Sequence, residues 1–257
     1  MQKFKDISVG ISIVSHNNEA DIIKNHSGYT EKVNGITFNV VVTDNLSSDE
    51  LKEFCTIKNY FYQRNHVRKG FGENNNQNAE LFKDEDIILI LNPDVYFDIH
   101  DLTKHIQDIY NLDWHICGAN VIELNHLKKT SHRRIFPGLL DPLISFLFKK
   151  KYFLLDPSIS SEVDWVGGSF MLIRNVTYKY LEGFDSDFFM YYEDIDLCKR
   201  AKQKGLVVFY FSDFTFYHDA QRAGHKLFSK AFLCNIQSMI KYFIKHPTRR
   251  LIGPNKY

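Results

Sequence analysis

Ile87-Ile-Leu-Ile-Leu91 runs straight into Asn92-Pro-Asp94. An unbroken aliphatic run of this length suits a strand covered on both faces, as in a parallel sheet flanked by helices. The proline fixes the backbone where the run stops, and a single carboxylate stands just beyond it. Working outward, 7–14 and 36–43 read as strands and 60–62 as a short one. The segments 18–26, 49–57, 75–82 and 101–110 between and after them are helix-compatible. This β-α-β-α rhythm predicts an α/β fold with a Rossmann-like, doubly wound, mostly parallel central sheet and flanking helices. Right-handed crossovers put the strand ends on one common edge.

The second half is less regular. Segments 115–124, 163–174 and 206–211 read as strands, and 194–204 as a short helix stopped by Gly205. A long amphipathic helix is expected over 228–244. Residues 125–162 form an irregular insert with Pro137, Pro142 and Pro157.

Composition narrows the function classes. The chain has 257 residues, with 32 Lys+Arg against 31 Asp+Glu, so no global field points to nucleic acid. The four cysteines show no C-x-x-C spacing, which argues against a zinc knuckle or a redox dithiol and reads as reduced thiols in the cytosol. No apolar stretch approaches the ~18 residues that span a bilayer, so a soluble or peripheral protein is expected.

Open α/β sheets bind ligands beyond the carboxyl ends of their strands. The four such ends carry Ser15-His16-Asn17, Asp44-Asn45, the stretch from Arg68 through Gly70-Phe-Gly72 to Asn76, and Asn92-Pro-Asp94. Loops are polar in any protein, but four hydrogen-bonding ends together favour a ligand edge. Gly70-Phe-Gly72 and the asparagines after it suit either close approach to a phosphate or a tight capped turn; the spacing is neither a P-loop nor a dinucleotide fingerprint. Asp94 reads either as a turn residue or as a ligand for Mg²⁺ or Mn²⁺. Downstream, the aromatic run from Phe188 to Tyr192 leads into Glu193, Asp194 and Asp196. Carboxylates opening a helix complement its dipole, worth ~0.5 kcal/mol; the functional reading is a general base beside apolar neighbours. Gly167-Gly168 suits either a bulge or a backbone passed closely by ligand. His218, after another aromatic run, matters only if the fold carries it to Asp94.

At these residues the chain resembles the family 2 glycosyltransferases of GT-A fold, and within them the bacterial rhamnosyltransferases of O-antigen assembly. The resemblance runs through ISIVSHN (11–17), VVVTDN (40–45), GFGENNN (70–76), LILNPDV (89–95), RRIFP (133–137), VDWVGGSFMLIR (163–174), GFDSDFFMYYEDIDLCKRA (183–201) and the segment 218–232. It implies one GT-A domain over 1–257: a nucleotide-sugar-binding half (1–111), an acceptor and catalytic half (112–225) and a C-terminal amphipathic helix on the acceptor side (226–257). It implies that Ser15, Asn17 and Asp44 hold the nucleoside, that Gly72, Asn74 and Asn75 line the ribose and diphosphate, and that Asn92-Pro-Asp94 occupies the place of the D-x-D motif with one carboxylate missing. Asp94 and His218 would then hold the metal. Asp194 matches the catalytic base, with Glu193 its neighbour. Trp165, Gly167, Gly168 and Arg134 would meet the acceptor, Arg134 through its diphosphate.

The implied reaction is a single inverting displacement that moves L-rhamnose from dTDP-L-rhamnose to N-acetylglucosamine on a polyprenyl-diphosphate lipid. Another donor sugar (galactofuranose or an N-acetylhexosamine) and a catalytically silent nucleotide-sugar-binding subunit are the alternatives. A lipid acceptor implies a cytoplasmic protein, peripheral on the inner face of the membrane. The apolar and basic segments 139–155 and 228–244 are candidates for that contact, and core packing is the competing reading of the second.

Overall fold

The computed structural model describes residues 4–29, 32–46, 49–124, 128–131, 135–142, 144, 158–219 and 229–252. Its first half follows the expected alternation: β1 (Ile7–Ser15), α1 (Glu19–Asn25), β2 (Ile36–Asp44), α2 (Glu50–Lys58), β3 (Phe61–Arg64), α3 (Phe71–Ala79) and β4 (Ile87–Leu91). A two-residue β5 (Val95–Tyr96) and α4 (Ile99–Ile109) follow. The second half contains β6 (Ile116–Glu123), β7 (Lys128–Ser131), β8 (Ser161–Glu162), β9 (Phe170–Arg174), α5 (Asn175–Tyr180), α6 (Glu193–Gln203), β10 (Val208–His218) and α7 (Lys230–Lys245).

All the strands join one sheet in the order β3-β2-β1-β4-β9-β6-β10-β5, with β7 on β6 and β8 on β10. The aliphatic run of β4 explains its place at the centre. Ile87, Leu89 and Leu91 enter one core layer with Ile11, Ile13 and Leu102, whereas Ile88 and Ile90 enter the other with Met171, Phe82 and Tyr210. The period of two therefore buries both faces. On β1 the layer facing α3 needs a glycine: a Cβ at Gly10 would lie 2.5 Å from the Phe82 ring.

The sheet is parallel through β3-β2-β1-β4, and β10 is parallel to β6. The mostly parallel sheet expected is present, since β6 and β10 run in the same direction as β4, and β9 interrupts it. β9 runs antiparallel to both β4 and β6 because the chain re-enters at the carboxyl end of β4, where the Asn92 amide donates to the Ser169 carbonyl at 2.9 Å. The strand expected over 163–174 is accordingly shorter, and Gly167-Gly168 lie in the turn before it. β10 is longer than expected: its register shifts between Phe211 and Thr215, and it resumes past the polar Ser212-Asp213 pair as far as His218. That extension brings His218 to the sheet edge.

Candidate active site

The short ladder of β5 against β10 pairs Val95 with His218, and the Asp219 amide donates to the Asp94 carbonyl at 3.0 Å. Asp94 Oδ1 and His218 Nε2 are thereby 3.2 Å apart, each side chain only 15% exposed. The end of α1 holds this loop from behind. Asn25 Nδ2 donates to the Pro93 carbonyl at 3.2 Å, and His26 Nε2 lies 3.0 Å from the same oxygen. Since that oxygen only accepts, the His26 proton sits on Nε2 and Nδ1 accepts from the Tyr29 hydroxyl at 3.0 Å. Burial pushes the His26 pKa down to about 4, so the ring is neutral. His26 and Asn25 were not legible as site residues, because a lone histidine at a helix end carries no signal.

Asp194 is reached through the carboxyl end of β4, by way of Ser169. One residue before Ser169, the Gly168 amide donates to Asp194 Oδ2 at 2.9 Å, and the Ile195 amide donates to Asp194 Oδ1 at 2.8 Å. Two backbone amides thus fix the plane of the carboxylate at the N-terminus of α6. A Cβ on Gly168 would meet the Asp194 Cβ at 3.4 Å and Phe71 Cε1 at 3.5 Å, so Asp194 sits beside the start of α3. At that start the Phe71 amide donates to the Phe189 carbonyl at 2.8 Å, and a Cβ on Gly70 would lie 2.6 Å from the same oxygen. The start of α3, the end of β4 and the 188–194 turn therefore converge, with Asn92, Ser169, Gly168 and Asp194 linked in sequence.

The turn is strained. Tyr191 and Tyr192 are consecutive left-handed residues, at φ 71° and 67°, a conformation that costs roughly 1–2 kcal/mol per non-glycine residue. Helix α7 clamps it. Ser238 Oγ donates to the Met190 carbonyl at 2.8 Å, and the Tyr192 and Tyr242 rings lie 5.5 Å apart. The clamp is locked at Asp196, which is fully buried. Asp196 accepts from Arg200 Nε at 2.7 Å, pairs with Lys245 Nζ at 2.8 Å, and meets His246 Nε2 at 2.7 Å. The expected amphipathic C-terminal helix is thus packed against the base helix along one face, which favours the core-packing reading there.

Glu193 turns inward. It is 7% exposed, and its Oε2 has no hydrogen-bond partner. Burial first, and the neighbouring Asp194 charge second, hold its carboxyl well above the usual range, so it is a neutral acid rather than a second ionised carboxylate.

Other expected site residues lie elsewhere. Asn74 and Asn75 are buried, with their amides committed inside the protein: Asn65 Nδ2 donates to Asn74 Oδ1 at 2.6 Å, and Ser12 Oγ to Asn75 Oδ1 at 2.6 Å. They tie α3 to the sheet, with these oxygens engaged inside the protein. Gly72 is pressed on Phe184, whose Cβ lies 2.7 Å from a built Cβ. Trp165 is 4% exposed and packs in the core, with its indole N–H donating to the Ile135 carbonyl at 2.9 Å, and Gly167 is buried beside it. Ser15 and Asp44 close β1 and β2 as expected, but both are fully enclosed, Asp44 beneath the Tyr62 hydroxyl at 2.8 Å and Arg64 Nε at 3.6 Å. Asn17 is exposed at the same edge, with φ 60°. Arg134, much of the 139–155 insert and part of 218–232 lie outside the described residues.

No protein-family model matches the chain. It is 34% identical over 253 residues to rhamnosyltransferase WbbL of Escherichia coli, covering 92% of this chain and 93% of the relative. It is 25% identical over 205 residues to the low-salt glycan biosynthesis hexosyltransferase Agl10 of Haloferax volcanii, covering 77% of this chain and 62% of that one. Among solved structures it resembles GalNAc-T7 with UDP, GalNAc and Mn²⁺ (TM-score 0.62, 14% identity, 93% of this chain and 48% of that one). It also resembles the mannosyltransferase PcManGT of Pyrobaculum calidifontis with GDP-Man and Mn²⁺ (TM-score 0.62, 11% identity, 93% and 65%). The shared sheet and the extended match to the rhamnosyltransferase agree: the chain is a family 2 glycosyltransferase of GT-A fold.

Proposed function

We propose that this enzyme moves L-rhamnose from dTDP-L-rhamnose to N-acetylglucosamine on a polyprenyl-diphosphate lipid, with inversion, in the assembly of O-antigen or a similar surface polysaccharide. The observation that carries the reading is the Asp194 carboxylate, fixed by the Gly168 and Ile195 amides and linked through Ser169 to the Asn92-Pro-Asp94 loop. The sugar assignment draws on the rhamnosyltransferase relative.

Asp194 takes the proton from the acceptor hydroxyl as that oxygen attacks the anomeric carbon. The bond from that carbon to the diphosphate oxygen breaks on the opposite face, and no protein nucleophile is required. A glycosidase scheme needs an acid–base pair of carboxyls flanking the bond, and Glu193, withdrawn into the core, does not supply one.

Asp94 and His218 are the residues that would hold Mg²⁺ or Mn²⁺. They fit a site that the donor completes: one carboxylate and one imidazole lie side by side, and among the described residues no third His, Cys, Asp or Glu joins them. Diphosphate oxygens and water would supply the remaining ligands. When bound, the cation neutralises charge on the departing nucleoside diphosphate. The structural relatives solved with Mn²⁺ support this assignment.

On the donor side, exposed Asn17 and half-buried Asn92 are polar groups within reach at the strand ends, and enclosed Asp44 would reach a nucleobase only if Tyr62 swings aside. We place the enzyme on the inner face of the membrane, where its lipid acceptor resides. Among the described residues no helix is long and apolar enough to cross a bilayer.

The test offers the purified protein a panel of nucleotide sugars with synthetic polyprenyl-diphosphate N-acetylglucosamine and identifies the product by mass. A deoxyhexose added from dTDP-L-rhamnose alone is the expected result; transfer from another donor replaces the sugar assignment, and no transfer from any donor removes the reading.

A further inference from the structure

On the outer side of α6 lies a cavity of about 550 Å³ that the transfer reaction does not use. Lys199 and Lys202 of α6, Phe136, Thr248 and Arg250 line it, with Asp164 the one carboxylate in the wall. The charges are unequally committed. Asp164 accepts from the Phe136 amide at 2.8 Å, and Lys202 pairs with Glu162. Lys199 rests over the Phe136 ring at 4.4 Å, a contact that leaves its charge unneutralised. The exposed Arg249 and Arg250 side chains have no acidic partner among the described residues.

Next to this basic cavity the chain assembles an apolar corner. The Leu139 amide donates to the Arg250 carbonyl at 3.0 Å, and the Leu140 amide to the Leu251 carbonyl at 2.8 Å. Those two bonds hold Leu139, Leu140, Leu251 and Ile252 together at 48%, 37%, 61% and 45% exposure. A contiguous exposed aliphatic cluster needs a reason, and rigidly fixed aliphatics beside unpaired cations match the headgroup boundary of an anionic bilayer. A protein partner would be expected to find aromatic anchors there, and the four exposed residues of the corner include none.

We propose that this corner seats the enzyme on the membrane: the cavity takes the phosphate of an anionic phospholipid, and the four aliphatic side chains enter the headgroup boundary. This deepens the reading above, since it rests on an acceptor carried by lipid, and it assigns the contact to a surface separate from the base.

The test is co-sedimentation with phosphatidylcholine vesicles made with and without phosphatidylglycerol, alongside a dTDP titration of every variant. Wild type should partition onto the anionic vesicles, and more weakly as salt rises. Arg250→Ala should weaken that partition about five-fold, and Lys199→Ala with Arg250→Ala about twenty-five-fold. Leu251→Ser with Ile252→Ser should weaken it as well, with dTDP affinity unchanged throughout; that unchanged affinity shows the variants are folded. Equal vesicle binding by wild type and all variants overturns the proposal. So does calorimetric binding of inorganic diphosphate that Arg250→Ala abolishes, by a wild type that does not partition onto anionic vesicles, which would make the cavity a site for free or acceptor diphosphate. Vesicle binding by a wild type that ignores dTDP would count against the donor assignment while leaving this surface standing.

Discussion

The surroundings of α3 and of α6 treat buried polar groups in opposite ways. Around α3, Asn45, Asn65, Asn74, Asn75 and Asn78 sit in the interior with their amides paired to one another, to Ser12, Thr43 and Gln63, or to backbone. Around α6, Glu193 Oε2 and Ser169 Oγ are buried without partners, and two tyrosines in a row sit at positive φ. A fully satisfied network rigidifies and specifies a scaffold, whereas unsatisfied groups and strained backbone persist only where the surroundings hold them. The asparagine network around α3 is therefore a finished frame, although His105 Nε2 on α4 is buried without a partner. The base half is held in place from outside by α7 through Ser238, Tyr242 and the Asp196 cluster.

The contrast is broken most severely at Asp194. Asp194→Asn should lower turnover by roughly 10²–10⁴-fold, the usual worth of a positioned base, while dTDP affinity measured by calorimetry stays near wild type. Equal loss of binding and turnover would make Asp194 part of the frame. Asp94→Ala comes next. With one of the two proposed protein ligands gone, the gain in nucleotide affinity on adding Mn²⁺ should shrink about ten-fold or more. A titration in which Mn²⁺ helps the variant as much as the wild type would remove the metal role.

In the donor half the same logic predicts lost stability with intact chemistry. Asn78 accepts from Gln63 at 2.6 Å and from the Thr43 hydroxyl, and it donates to Ser12 at 2.8 Å. Asn78→Ala strands those partners in the core and should cost about 2–3 kcal/mol, read as a lower urea midpoint at constant slope. Turnover per folded molecule should hold. A variant as stable as wild type would mean that the network is decorative.

How much of this was readable beforehand follows from the kind of signal each part leaves. Unbroken aliphatic runs such as 87–91 announced their strands because burial on both faces demands them. The Asp94–His218 pair and the 163–201 motifs were legible as residues, and the fold supplied only their proximity. The start of α3 at Phe71 was missed by four residues, since glycine and asparagine are poor helix formers and tertiary hydrogen bonds override that propensity here. The asparagines were legible as polar but not as buried: an amide that lines a ligand and one that staples a core look alike in sequence. The antiparallel run of β9 and the Asp196–His246 lock depend on contacts between segments distant along the chain, and no local pattern encodes them.

The mildest expected effect sharpens the contrast at Glu193. An acid whose folded value lies above its unfolded one binds its proton more tightly in the native state. The stability that depends on this proton is complete below the ordinary carboxylate value of 4.5 and is lost as pH rises through the raised folded value. Glutamine has no such proton to lose, so Glu193→Gln should remove that decline. The buried histidines act in the other direction: His26 and His105 are both pushed down to about 4 by burial, so their contribution fades as pH falls from 6.5 toward 4. They are common to both proteins and cancel in the difference. Urea midpoints of wild type and Glu193→Gln, measured in steps from pH 5 to pH 8, should therefore diverge in favour of the variant as pH rises, and turnover should persist because Asp194 remains. Parallel curves would mean that Glu193 holds its proton no more tightly folded than unfolded, and that the base half is less strained by its buried acid than its orphaned oxygen implies.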